Sequence, residues 1–214
     1  MSFKMKKYIV FFFIMFSFVC AYTTNGICRS KTNVTEEDII TATKFQPFYV
    51  YEDFGSKRNH FVPSGWIADV ADLKLNIACK TTEMLKGKYC IQVDYTPKGY
   101  KRWAGIYWQN PANNWATVKA GFDLRKATAL TFLAKGKLGN EVISKVQVGG
   151  LMGHFPDSDK VWITNIKLTT KWKKYRIDLE DSDLSYISTG FYIGVSKADN
   201  PNGATFYLDE IRYE

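Results

Sequence analysis

From Pro47 onward apolar and polar residues alternate in short runs: Phe48–Glu52, Leu75–Cys79, Tyr89–Tyr95, Ala104–Gln109, Ala129–Lys135, Ile143–Val148, Tyr175–Leu179, Phe191–Val195 and Thr205–Tyr213. A period of two sends successive side chains to opposite faces of an extended chain, so each run predicts a strand. Turn-rich pieces separate them, among them Thr96-Pro-Lys-Gly99, Lys135-Gly-Lys-Leu-Gly-Asn140 and Asn200-Pro-Asn-Gly203. Helical periodicity nowhere lasts beyond about two turns. Many short strands punctuated in this way predict an all-β fold, an antiparallel β-sandwich of jelly-roll type, as one domain over residues 46–214. There is no internal repeat and no second domain.

The same alternation sorts side chains by face. In Tyr89–Tyr95 the inward set is Tyr89, Ile91, Val93 and Tyr95, which leaves Gln92 and Asp94 outside. In Trp103–Gln109, Ala104, Ile106 and Trp108 look inward, while Trp103, Tyr107 and Gln109 look out. In Ile143–Val148, Ser144, Val146 and Val148 are inward and Lys145 and Gln147 outward. If these strands share a sheet, one outer face carries aromatics, amides and a carboxylate. That chemistry suits a sugar: flat rings cover C–H faces, and Gln or Asp bonds hydroxyls. Any single Trp or Tyr is equally at home in a sandwich core; only the mixture on one face points to a ligand.

The N-terminus reads differently. Lys4, Lys6 and Lys7 precede a twelve-residue apolar run, Tyr8–Val19, and Val19-Cys20-Ala21 offers a small-residue cleavage site. The run is short for a membrane span and fits a signal peptide over residues 1–21, with a mature start at Tyr22 and a secreted product. A lipoprotein anchored through Cys20 is the alternative, although Val19 is poorly suited to precede a lipidated cysteine; an uncleaved anchor is a third. Residues 22–45 form a polar leader. Asn33-Val-Thr35 matches a glycosylation acceptor, but the leader looks bacterial and the match carries no weight.

Composition narrows the function classes. With 214 residues there is room for one substantial core. An apolar share of 46% beside 23% charged residues excludes collagen-like, coiled-coil and wholly disordered chains. Aromatic residues reach 16%, which with 15 glycines favours sheet over helix. The formal charge of +8 falls to +5 once Lys4, Lys6 and Lys7 leave with the signal, and no Lys/Arg run remains, so no nucleic-acid partner is expected. Only His60 and His154 are available for histidine chemistry.

Cleavage after Ala21 leaves Cys28, Cys79 and Cys90, an odd number. Cys79 ends one alternating run and Cys90 begins another, with a loop carrying Gly87 between them. In an exported protein this arrangement predicts a Cys79–Cys90 disulfide, worth roughly 3 kcal/mol for a loop of this size; free thiols are the alternative. The spacing does not resemble a metal knuckle. Cys28 has no inferred partner.

Four stretches together resemble the secreted bacterial β-jelly-roll domains typified by carbohydrate-binding modules of galactose-binding-like fold. They are Asn59-His-Phe-Val-Pro-Ser-Gly-Trp-Ile-Ala-Asp69, Trp103-Ala-Gly-Ile-Tyr-Trp-Gln-Asn-Pro-Ala-Asn-Asn-Trp115, Lys171-Trp-Lys-Lys-Tyr-Arg-Ile-Asp-Leu179 and Asn202-Gly-Ala-Thr-Phe-Tyr-Leu-Asp-Glu-Ile-Arg-Tyr-Glu214. The resemblance covers about Tyr49 to Glu214, and because its stretches offer amides beside indoles it implies that loops bearing Trp66 and Asn113-Asn114-Trp115 complete the site. The chain departs from it at Ile67-Ala68, where a Met-Gly-like pair is expected, and at Asn140, where a Gly precedes the Glu. The resemblance implies a structural calcium ion, with Glu52, Asp53 and Asp209 at the matching positions; a hard cation of this kind needs about six to eight oxygens. Asp157-Ser-Asp159 lacks the glycine and distal glutamate of a calcium loop.

No hydrolase motif is present: there is neither Gly-x-Ser-x-Gly nor His-Glu-x-x-His. Glycoside hydrolysis needs two facing carboxylates, which Asp69, Asp94 and Glu141 would supply only by chance of folding. A polysaccharide lyase would need only a base and an acid, for which Tyr107 and His60 are candidates. The sequence is therefore read as an exported, monomeric, non-catalytic module that binds a polysaccharide through an aromatic and amide-rich sheet face. A structural or adhesive envelope protein with protein partners, and a lyase or glycosidase, are the alternatives.

Overall fold

The computed structural model describes residues 45–80 and 86–214. The expected signal peptide with Cys20, the expected polar leader as far as residue 44 with Cys28 and Asn33, and the centre of the loop at 81–85 lie outside the described residues. Eleven strands are formed: β1 (Phe48–Tyr51), β2 (Val62–Ala68), β3 (Leu73–Cys79), β4 (Cys90–Tyr95), β5 (Trp103–Gln109), β6 (Ala129–Gly136), β7 (Val142–Gly149), β8 (Lys160–Lys167), β9 (Lys173–Asp178), β10 (Thr189–Ser196) and β11 (Ala204–Tyr213). The described residues contain no α-helix. The strands build two antiparallel sheets, and the all-β jelly-roll expectation holds. The first sheet runs β3-β4-β11-β6-β9, with β1 pairing β11 as well; the second runs β2-β5-β10-β7-β8.

β11 organises the first sheet. Along one edge its N-terminal half pairs β4 and its C-terminal half pairs β1, while its other edge pairs β6. Its register against β6 shifts between Asp209 and Arg212, with Glu210 at φ +48°. The extra residue keeps parity with the core: Phe206 and Leu208 before the bulge, and Ile211 and Tyr213 after it, are all buried. Without it a period of two would turn Ile211 and Tyr213 to solvent.

The two inner faces meet in one apolar core. Trp108 and Phe191, on neighbouring strands of the second sheet, stand edge to face at 5.3 Å, and Phe191 meets Phe132 of the first sheet at 5.6 Å. The Tyr213 hydroxyl donates to the Gly190 carbonyl at 2.8 Å, tying β11 to the start of β10. Each such side chain contributes roughly 1.5–3 kcal/mol by leaving water.

Four expectations need correction. β2 and β8 were not foreseen: Pro63, Ser64 and Gly65 hide the alternation of β2, and β8 is an edge strand with mostly exposed positions. Trp66 therefore lies on a strand, not on a loop. Ser144 does not face the core; Ile143 is buried there instead, while Ser144 bonds Ser196 and Asp199. Finally, the expected Cys79–Cys90 disulfide is not formed. The two residues are directly opposed on β3 and β4, but both are buried free thiols, and Cys79 donates to the Gln92 side-chain oxygen at 3.2 Å. Burial, with Cys79 beside it, pushes the Cys90 thiol up to about 12, so it stays protonated.

Candidate functional site

Register defines the outer face of the second sheet row by row. One row runs Tyr107, Tyr192, Gln147 and Trp162 across β5, β10, β7 and β8. The next runs Ile67, Gly105, Gly194, Lys145 and Thr164 from β2 to β8. A third pairs Trp103 with Ser196. The middle row is low because two of its residues are glycines, and the Tyr192 ring fills the space they leave. A Cβ on Gly105 would lie 2.5 Å from the Tyr192 hydroxyl, and one on Gly194 would lie 2.4 Å from it. Tyr107 lies against Tyr192 with ring centroids 4.4 Å apart, and Trp115 meets Tyr107 edge-on at 6.1 Å. The result is a cleft of about 400 Å³ lined by Ile67, Trp103, Tyr107, Ser144, Lys145, Tyr192, Gly194, Val195 and Ser196. Trp103 is 39% exposed, against 1% for its strand neighbour Trp108.

Burial raises the pKa of Tyr107, with the Asp157 charge adding to the effect, and burial beside Tyr107 raises that of Tyr192 further. Both phenols stay neutral and serve as hydroxyl donors and acceptors.

The structure gathers only part of the expected set. Trp103, Tyr107 and Trp115 come together, and Asn113 lies exposed on the loop that carries Trp115. Gln109 shares their face but is fully buried: its side-chain oxygen accepts from the Ser64 hydroxyl at 2.8 Å and its amide donates to the Asn114 carbonyl at 2.9 Å. Asn114 is buried as well, donating to the carbonyls of Asn110 and Val118 and accepting from the amides of Thr117 and Val118. These two amides fold the loop and are not available to a ligand. Gln92 and Asp94 belong to β4, in the first sheet, so they lie on the opposite outer face, where Gln92 and Thr205 both donate to Asp94. Trp66 opposes the inward-facing Ile106 and so points to the sandwich side at the open edge of β2. The premise that β4 and β5 share a sheet is what fails.

Tyr192, Lys145, Trp162 and Ser196 were missed as site residues. Tyr192 was legible as the outward neighbour of the core residue Phe191. Trp162 was not, because β8 itself was not recognised.

The carboxylates expected to hold calcium are differently engaged. Glu52 accepts from Ser56 and pairs with Arg58. Asp53 accepts from the amides of Phe54, Lys88 and Tyr89. Asp209 accepts from the Glu210 amide through one oxygen, and its other oxygen is buried with no partner. Burial, with Glu210 and Asp53 nearby, pushes Asp209 up to about 7. Among the described residues no three His, Cys, Asp or Glu side chains form a ready metal-donor group. Of the three, only Asp209 keeps an oxygen without a partner; Asp53 is engaged by backbone amides and Glu52 by Arg58.

Neither a known family model nor a curated protein matches the sequence. Solved structures do. A family 30 carbohydrate-binding module superposes with a TM-score of 0.57 at 16% identity, covering 79% of this chain and 88% of that one. The family 30 module of a cellulosomal cellulase of Clostridium thermocellum gives 0.55 at 16% identity, covering 79% and 98%. A family 11 module of the same organism, solved with a β-1,3-1,4-mixed-linked tetrasaccharide, gives 0.51 at 14% identity, covering 76% and 92%. The chain has the β-jelly-roll fold of these carbohydrate-binding modules.

Proposed function

We propose that the protein is an exported, non-catalytic module that binds a polysaccharide along the outer face of its second sheet. The observation that carries this reading is the Tyr192 ring laid over a cross-strand glycine pair, with Trp103 and Tyr107 beside it. Flat rings remove apolar sugar faces from water at roughly 25 cal/mol per Å², while the Ser144 hydroxyl, whose proton goes to Asp199, offers its oxygen as an acceptor. Ordering costs offset much of that gain, so affinity on the order of micromolar to millimolar is expected for one site. The fold shared with carbohydrate-binding modules supports the reading, and the basic, apolar N-terminus supports export. Catalysis is disfavoured by the chemistry of its candidates. A Tyr107 base would need a lowered pKa, yet burial raises it. His60 stacks on Phe48 at 3.9 Å and against Phe122, neither of which touches Tyr107. Glu141 is tied up by three backbone amides, and Asp69 accepts from the Arg102 amide.

The glycine pair gives a direct test. Gly105→Val is expected to lift the Tyr192 ring and weaken binding of cello- or xylo-oligosaccharides about tenfold, a loss of about 1.4 kcal/mol. Isothermal titration measures it; unchanged affinity in a folded Gly105→Val variant contradicts the site.

The reading includes a structural calcium ion held by Asp53 and Asp209, supported by the partnerless Asp209 oxygen; bound there, it would neutralise a buried charge. Binding to the folded state alone stabilises by about 2.7 kcal/mol at a hundredfold excess over Kd. Chelator is expected to lower Tm in the wild type. Asp209→Asn is expected to remove that response and to melt above the chelated wild type, since it deletes a buried charge. Superimposable wild-type melts with and without chelator contradict the ion.

A further inference from the structure

Lys145 stands next to Gly194 in the glycine row, half-buried, and lines the cleft. Its ammonium lies 4.9 Å from the centroid of the Trp162 ring, and the Lys160 ammonium lies 5.5 Å from the same ring. The indole thus stands close to two cations and offsets part of their repulsion. No carboxylate lies within ion-pair distance of Lys145 among the described residues, and none lines the cleft. Asp199 reaches the lining only through the hydroxyls of Ser144 and Ser196, both of which donate to it. Elsewhere on this chain exposed cations are paired where an acid is near, as in Arg58–Glu52, Lys174–Glu214 and Arg125–Asp123. Burial and Lys160 both lower the Lys145 pKa, so its positive charge is held where the protein disfavours it. A half-buried cation with no counter-ion, beside an aromatic platform, is a place where an anion gains more than it would at an open surface.

We propose that the cleft takes an anionic glycan, with the acidic group of a uronate or a sulfated sugar docking on Lys145 while the ring lies on Trp103, Tyr107 and Tyr192. This rests on the glycan-binding reading above and adds its substrate class. The carboxylate and the sulfate ester share the chemistry of a fixed anion on a sugar ring, and matched polymers separate them.

The test is binding of the full mature chain to polygalacturonate against its methyl-esterified form, and to dextran sulfate against dextran, by affinity electrophoresis at low and high salt. Wheat arabinoxylan, as a neutral xylan, and barley β-glucan serve as neutral polymers. The wild type is expected to bind at least one charged member about tenfold tighter than its neutral counterpart, and to lose that preference at high salt. Lys145→Gln is expected to erase the preference, whereas Lys74→Gln, on the exposed edge of the other sheet with the same change in net charge, is expected to keep it. Lys145→Arg keeps the charge and is expected to retain the preference, which separates lost charge from lost folding. Preference for polygalacturonate alone assigns a uronate; preference for dextran sulfate alone assigns a sulfate ester. Equal binding of charged and neutral members, or a preference that survives Lys145→Gln, overturns the anionic assignment. In that case Trp103-dependent binding to xylan or β-glucan leaves the glycan reading standing, and failure to bind any polymer overturns both.

Discussion

Trp108→Ala is expected to cost about 3–5 kcal/mol, because a fully buried indole in edge-to-face contact with Phe191 leaves a cavity that surrounding strands cannot close. For a domain of this size that lowers Tm by about 10 °C or more. Trp103→Ala, five residues earlier on the same strand, is expected to leave Tm within about 2 °C and to abolish measurable glycan binding. Tyr107→Ala is expected to behave like Trp103→Ala in binding, with a larger loss of stability through its contact with Tyr192. Thermal melts and titration calorimetry on the three variants read the contrast. If Trp103→Ala destabilises as much as Trp108→Ala, the exposed indole is packing and not a platform.

Asn114→Ala is the second large effect, and its sign differs from what a ligand-binding amide would give. The side chain bonds two carbonyls and two amides within residues 110–118. Truncation leaves those partners unsatisfied and is expected to cost about 2–4 kcal/mol, at about 0.5–1 kcal/mol for each of the four bonds lost. Because the loop also positions Trp115 against Tyr107, glycan affinity is expected to fall as well. Asn114→Asp, which keeps the acceptor but not the donor, is expected to lose about half as much stability. A variant that loses affinity with an unchanged melt would instead make Asn114 a direct ligand.

Period-two alternation was enough for nine of the eleven strands and for the inward set on β5, since core burial enforces parity. What alternation does not encode is which strands are neighbours. β4 and β5 follow one another along the chain, yet they sit in different sheets, and this long-range fact moved Gln92 and Asp94 away from Trp103. Nor does polarity distinguish a ligand-binding amide from one that folds a loop. Gln109 and Asn114 look alike in sequence to Asn113, and only their buried hydrogen bonds to main-chain groups separate them. The cleft floor was illegible for a further reason. It depends on Gly105 and Gly194 being opposed across β5 and β10, a pairing 89 residues apart in sequence. Lys145 was correctly placed outward, but its lack of an acidic partner emerges only once Trp162 and Lys160 of β8 are in position.

The central claim is that the outer face of the second sheet binds glycan, and indole resonances can read it directly. The six tryptophans divide by place: Trp103, Trp115 and Trp162 border the outer face of the second sheet, Trp108 is in the core, Trp66 is at the sandwich edge, and Trp172 lies with Lys135 and the first sheet. Titrating ¹⁵N-labelled protein with xylo-, cello- and galacturono-oligosaccharides is expected to shift the Nε1–H signals of Trp103 and Trp115, and that of Trp162 with the acidic series, while Trp66, Trp108 and Trp172 stay fixed. Shifts confined to Trp172, beside Lys135 on the opposite sheet, or no shifts with any series, would contradict the account.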